Sequence, residues 1–235
     1  MTAKAELHRW RIEEREYARQ EERRGKRHAF QNLVSSRTAL IVIDMVPFFV
    51  AQSSYCRGII PNINQLADAL RAEGGCVAWV LPSAEPANAL LLDEFFGAEV
   101  SRLYRLSGGS GSVRDRLWPE LKVGDDDLLI EKHHYSAFFP GSSTLLQQLQ
   151  ARNIDTVLIT GTVTNICCES SARDAHALGL RVIMVADANA ARRDEDHNAT
   201  LHNIYRSFGD VRTCQEVLAL IAEAATAASS PRPLR

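Results

Sequence analysis

The chain has 235 residues, 46% of them hydrophobic and 24% charged, with a formal net charge of −2, enough apolar material for one substantial core. That balance, with no basic tract interleaved with aromatics, gives no ground for a nucleic-acid partner. No apolar run approaches the roughly 20 residues of a membrane span, and the opening "MTAKAELHRWRIEEREYARQEERRGKRH" lacks an apolar leader core, so a cytoplasmic protein that does not enter a membrane is expected.

Residues 1–32 differ in composition from the rest: nine Lys or Arg and six Asp or Glu fall within the first thirty positions. Leu7, Trp10 and Tyr17 recur at i, i+3 and i+10, one side of a helix. The chain is therefore divided into a charged helical arm, 1–32, and a domain, 33–235. The arm is expected either to bridge the subunits of a homo-oligomer, a dimer or tetramer, or to stay a solvated helix. "TALIVID" (38–44) is a continuous apolar run ending in an acid, the pattern of a central strand covered on both faces. "PNINQLADALRAEGG" (61–75) places Ile63, Leu66, Ala67 and Leu70 at helical spacing between an initial Pro and a Gly-Gly stop. Strands at 76–81 and 127–132, a helix at 143–153 and a strand at 156–160 continue the alternation. A helix over 165–178, a strand at 181–186, a helix near 194–207, a short strand near "DVRT" and a final helix near 215–227 complete it. Repeated β-α order with buried strands predicts an α/β fold: a doubly wound, mostly parallel sheet with helices on both faces. Residues 82–124 break the rhythm and are too long for a connecting loop, so they read as a lid with helix of its own.

In such a sheet ligands bind beyond the carboxyl ends of the strands. Asp44 ends the first strand, Lys132 the third, and Cys167 or Cys168 follows the fourth. An acid, an amine and a thiol suffice for nucleophilic catalysis: the carboxylate takes the thiol proton and the cation steadies the thiolate. Singly, each residue has an ordinary alternative, as a strand-end cap, a solvated charge and a small core side chain. Cys168 shares a helical stripe with Ala172, Ala175 and Gly179, which suits packing on the sheet. Cys167 shares one with Ser171 and Asp174 and falls in the first turn, where free N–H groups and the helix dipole favour a thiolate. Cys167 is thus the expected nucleophile. Five cysteines, at 56, 76, 167, 168 and 214, have no zinc-like spacing and are expected as free thiols.

The segments "ALIVIDM", "EKHHYSAFFPGSSTLLQQL" and "VLITGTVTNICCESSARDAHALGLRVIMVADANA" resemble the isochorismatase-like cysteine hydrolases over nearly all of residues 38–220. The resemblance implies a triad of Asp44, Lys132 and Cys167, with Cys168 where the family usually has a small apolar residue. It also implies a cis peptide bond at Val163–Thr164 that turns backbone N–H groups toward a substrate oxyanion. The family's cysteine members, among them nicotinamidases and N-carbamoylsarcosine, ureidoacrylate, biuret and streptothricin hydrolases, cut C–N bonds, whereas isochorismatases proper lack the cysteine.

The expected activity is therefore hydrolysis of a small-molecule carboxamide, ureido or lactam bond through a thioester. Nicotinamidases carry an Asp-x-His metal segment after the second strand, where this chain reads "WVLPSAEPANA". His133 and His134 point apart on a strand, and His197 and His202 are poorly spaced for one helical face. Neither a metal nor a cofactor is expected. Phe49, Tyr135, Phe138 and Trp118 are candidate pocket residues, beside Phe95, Phe96, Leu103, Tyr104 and Phe139. A binding or scaffold protein on the same fold, and a thiol redox sensor using Cys167 and Cys168, are the competing readings.

Overall fold

Strand β1, Thr38–Ile43, is buried along its whole length. Leu40 and Val42 enter one apolar layer and Ala39, Ile41 and Ile43 the opposite one, as the two-residue period of a strand requires. A strand apolar on both sides needs helices on both sides. The computed structural model describes residues 4–85, 87 and 89–229, and in it that need is met. Helix α1 is Glu14–Arg24; β1 is followed by α2 (Pro47–Val50), α3 (Ser54–Gly58), α4 (Ile60–Ala72) and β2 (Cys76–Pro82). Then come α5 (Ala89–Phe96), α6 (Ala98–Leu106), β3 (Leu128–Lys132), α7 (Leu145–Ala151) and β4 (Thr156–Thr162). A π-helical turn, Thr164–Cys168, leads into α8 (Glu169–Ala177), β5 (Arg181–Ala190), α9 (Asp194–Ser207), β6 (Asp210–Arg212) and α10 (Cys214–Ser229).

The six strands form one sheet in the order β3-β2-β1-β4-β5-β6, and every neighbouring pair is parallel. This is the doubly wound α/β sheet that the β-α alternation predicts. Ile63, Leu66 and Leu70 of α4 and Val217 and Ile221 of α10 fill one layer, while Leu145 and Leu149 of α7, Ala172 and Ala175 of α8, and Leu201 and Ile204 of α9 fill the other. Strand order reverses between β1 and β4, which opens a crevice at their carboxyl ends. Gly161 stands at that reversal with φ +110°, and a Cβ there would lie 2.1 Å from the Ile43 carbonyl oxygen. Strand β5 runs beyond the expected 181–186 because its register with β4 shifts between Ile159 and Gly161. The Asn189 side-chain amide bridges the irregularity, donating to the Ile159 and Val185 carbonyls at 2.8 and 2.7 Å.

The arm differs from its expected form. Leu7 and Trp10 precede the helix, which begins at Glu14, and the segment lies along its own domain. His8 is buried and stacked between Tyr55 and His197, at 3.8 and 4.3 Å between ring centroids. Tyr17 meets the buried Tyr205 edge-on at 5.0 Å. Beyond the helix, the Ala29 and Phe30 N–H groups donate to the two oxygens of the fully buried Asp210 at 2.8 and 2.9 Å. The apolar stripe thus finds most of its cover within the chain, with Leu7 left 44% exposed. Residues 82–124 do carry their own helices, α5 and α6, tied by Arg105 to Asp93 at 2.7 Å. Among the described residues no helix is long and apolar enough to cross a membrane.

Candidate active site

The end of β1 turns sharply. Asp44 has φ +55°, a left-handed conformation that Asp tolerates better than most residues, and its N–H donates to the Val80 carbonyl at 2.8 Å. The turn carries the carboxylate into the crevice, where it is almost fully buried. Lys132, the last residue of β3, arrives from across β2 and is equally buried. Its Nζ stands 3.0 Å from Asp44 Oδ2 and donates to Cys167 Sγ at 3.5 Å and the His134 carbonyl at 3.3 Å. The other carboxylate oxygen, Asp44 Oδ1, is buried without a hydrogen-bond partner, and the Cys167 thiol is close enough to act on the carboxylate's charge. The acid, amine and thiol predicted at three strand ends do converge.

The cysteine lies in a wider turn than expected. Cys167 is not in the first turn of an α-helix but in the π-helical turn, whose Cys168 N–H reaches back to the Val163 carbonyl at 3.3 Å. The two thiols part there: Cys167 lines the cavity, while Cys168 is sealed in the core with Ala172 and Ala175. The electrostatics also differ from the thiolate expected of a helix N-terminus. Burial, with the Asp44 carboxylate beside it, pushes the Cys167 thiol up to about 12 against the opposing pull of Lys132. Burial raises Asp44 above the usual carboxylate range despite Lys132. Burial works against charge on Lys132, but Asp44 and Cys167 outweigh it and hold the amine above its ordinary value. Removing charge from water here costs more than the Lys132 contact and the turn's dipoles return, which favours the neutral thiol.

The non-proline cis bond is Thr162–Val163, one bond before the Val163–Thr164 position implied by the family resemblance. Val163 lines the cavity, whereas Thr164 is fully buried behind it. The Thr164 hydroxyl is 3.0 Å from Nδ1 of His197, itself buried and held near a pKa of about 3 by burial and the adjacent His8. Sequence reading considered His197 only as a metal ligand. Its place on the buried stripe with Leu201 and Ile204 was the available signal for a packing role.

The triad opens into a cavity of about 540 Å³. Phe49 and Tyr135 line it as expected, but Phe138 and Trp118 do not. Ser136 Oγ accepts the N–H groups of both Phe138 and Phe139 at 3.1 and 3.2 Å; in the tight turn that results, Phe138 enters the core and Phe139 the cavity. The Trp118 N–H donates to the Met45 carbonyl at 2.9 Å, and its ring packs on the core layer of α4 and α10. Phe96 and Tyr104 of the lid complete the aromatic wall, and Arg105, Arg173 and Asp174 also reach it. Among the described residues no group of three or more His, Cys, Asp or Glu is placed to share a metal ion.

Residues 38–216 match the isochorismatase domain family. The chain is 30% identical to nicotinamidase 3 of Arabidopsis thaliana over 186 residues, 78% of this chain and 88% of that protein. It is 28% identical to the ureidoacrylate amidohydrolase RutB of Rhizobium rhizogenes over 219 residues, covering 82% and 87%. Among solved structures, a cysteine hydrolase from Pseudomonas syringae pv. phaseolicola superposes with a TM-score of 0.67 at 27% identity, covering 84% of this chain and 98% of that one.

Proposed function

Because this chain belongs to the isochorismatase family, we propose that it is an amidohydrolase that cuts the C–N bond of a small carboxamide, ureide or lactam through a thioester on Cys167. The observation that carries this reading is Lys132 Nζ, 3.0 Å from Asp44 and 3.5 Å from the Cys167 sulfur in a buried cavity. Asp44 Oδ1, which has no other partner, accepts the thiol proton as the sulfur attacks the carbonyl carbon. Lys132 balances the negative charge as it moves from carboxylate to sulfur. Backbone N–H groups near Thr164 and Cys167 hold the tetrahedral oxyanion. Its collapse expels ammonia or an amine, protonated by Asp44, and leaves an acyl group on sulfur. Asp44 then takes a proton from water as water attacks the thioester, and returns it to the Cys167 sulfur as the acid departs.

Ammonia or amine release from a panel of carboxamides, ureides and lactams tests the reading. Cys167→Ala is expected to lower kcat by about 10³-fold or more. Cys168→Ala is expected to keep most activity and lose roughly 1 kcal/mol of packing. Intact mass early in turnover should reveal an acyl adduct that is absent from Cys167→Ala. Full loss in Cys168→Ala with activity kept in Cys167→Ala would overturn the mechanism.

A further inference from the structure

The charges around the cavity narrow the substrate class, on the premise that the site hydrolyses amides. Among the described residues, Lys132, Arg105 and Arg173 are the lysine and arginine side chains that line it, and each already has a carboxylate partner. Lys132 holds Asp44. Arg105 Nη1 donates to Asp93 Oδ1 at 2.7 Å and to Ser101 Oγ at 2.8 Å. Arg173 makes two hydrogen bonds to Glu169 Oε1, at 3.0 and 2.6 Å, with its guanidinium 4.3 Å from the Phe208 ring centroid. Asp93, Glu169 and Phe208 do not line the cavity, so the charge of each guanidinium is already paired with a carboxylate outside it. Of the lining histidines, Nδ1 of His133 is 2.8 Å from the Glu85 carbonyl oxygen and the His134 ring rests against Phe139.

The remaining charge has the opposite sign. Asp174, half-buried on α8, lines the cavity without a cation partner among the described residues. The rings of Phe49, Phe96, Tyr104 and Phe139 line the same cavity. A carboxylate entering here would lose water against aromatic walls, find the lysine and arginines among the described lining residues already paired, and meet Asp174. A cation would gain Asp174 and the ring faces. We propose that the site selects carboxamides whose remaining group is apolar and either uncharged or cationic, and rejects those bearing a carboxylate.

Phenylacetamide and its 4-carboxy and 4-aminomethyl derivatives vary charge on one scaffold. The carboxy derivative is expected to show kcat/KM at least about ten-fold below the parent, and the aminomethyl derivative to equal or exceed the parent. Asp174→Asn should remove any cationic advantage. Alkylation of Cys167 by iodoacetamide and by iodoacetate, normalised to glutathione and read by peptide mapping, reports charge selection without turnover. The neutral reagent is expected to be favoured by about ten-fold. A preference for the carboxy amide or for iodoacetate, lost in Arg105→Ala or Arg173→Ala, would overturn the proposal and leave amide hydrolysis standing. No ammonia from any amide, with alkylation still favouring the neutral reagent, would overturn the hydrolase reading and support the charge selection.

Discussion

Asp44, Lys132 and Cys167 derive their properties from burial as much as from proximity. A lysine 3.5 Å from a sulfur ordinarily depresses a thiol pKa, yet here burial, with the Asp44 carboxylate beside it, pushes the thiol up to about 12 against that pull. On the proposed mechanism the proton moves during the reaction rather than before it, which sets the expected pH dependence. Asp44 must be ionised to accept that proton, and its pKa is raised by burial. As pH falls through that raised value the base is protonated and turnover stops. The acid limb of kcat/KM is thus expected above the roughly 3.9 of an ordinary aspartate. In the free enzyme the thiolate fraction grows about ten-fold per pH unit below a pKa of about 12, so Cys167 alkylation by iodoacetamide should keep rising through pH 10. A plateau below pH 8 would mean that a thiolate exists at rest.

At the scale of elements, β4 and the turn after it control the site's shape. The strand must pass against the carbonyl of Ile43 and then present Val163 and Cys167 to the crevice. Gly161 permits the passage, since a Cβ at that position would lie 2.1 Å from the Ile43 oxygen and 2.6 Å from its nitrogen. Backbone atoms cannot give way as a flexible side chain can, and φ +110° is itself unfavourable for any residue with a Cβ. Gly161→Ala is expected to cost about 2 kcal/mol or more in chemical denaturation and to lower kcat, because β1 and β4 lead into the turns that hold Asp44 and Cys167. Gly179→Ala is the contrast: the residue also has a positive φ, but nothing lies within 4 Å of its added Cβ. It should destabilise less and leave turnover close to normal.

Across the whole molecule, the arm and the sheet form one packed unit. His8 fills a slot between Tyr55 and His197, accepts the Ala191 N–H at 2.9 Å and has Nδ1 2.7 Å from an Asp194 carboxylate oxygen. Arg212 donates to the Phe30 carbonyl at 2.7 Å, and Asp210 receives the Ala29 and Phe30 amides. The sequence reading sets the arm apart from the domain, as a bridge between subunits or a solvated helix. The structure instead has it packed on Tyr205, Asp210 and His197, the last hydrogen-bonded to Thr164 of the π-helical turn. A chain beginning at Ser35 is therefore expected to unfold at lower denaturant concentration than the full chain and to turn over more slowly. Equal midpoints and equal rates would return the arm to the status of an appendage.

Local pattern was sufficient for the alternation of strands and helices, the burial of β1 on both faces and the separation of Cys168 from Cys167. Each depends on side-chain period along a few residues, and period is written in the sequence. The bounds of α9 agree within that reading, at Asp194–Ser207, because an acidic first turn and a buried stripe mark it locally. Strand-end placement and the family resemblance both pointed to Asp44, Lys132 and Cys167 as the proposed triad, but neither gave its protonation state, which depends on burial accumulated from elements distant in the chain. Sequence could not tell Phe138 from Phe139, since a single serine-capped turn decides which ring faces the core. The Glu169–Arg173 pair is an i, i+4 contact on one helix and so was open to local reading, but nothing local could foresee that His8 would close a stack 189 positions from its partner His197. Contacts of that span exist only once the sheet has brought its strand ends together, so the packing of the arm, and which residues share the cavity, were decided by tertiary structure alone.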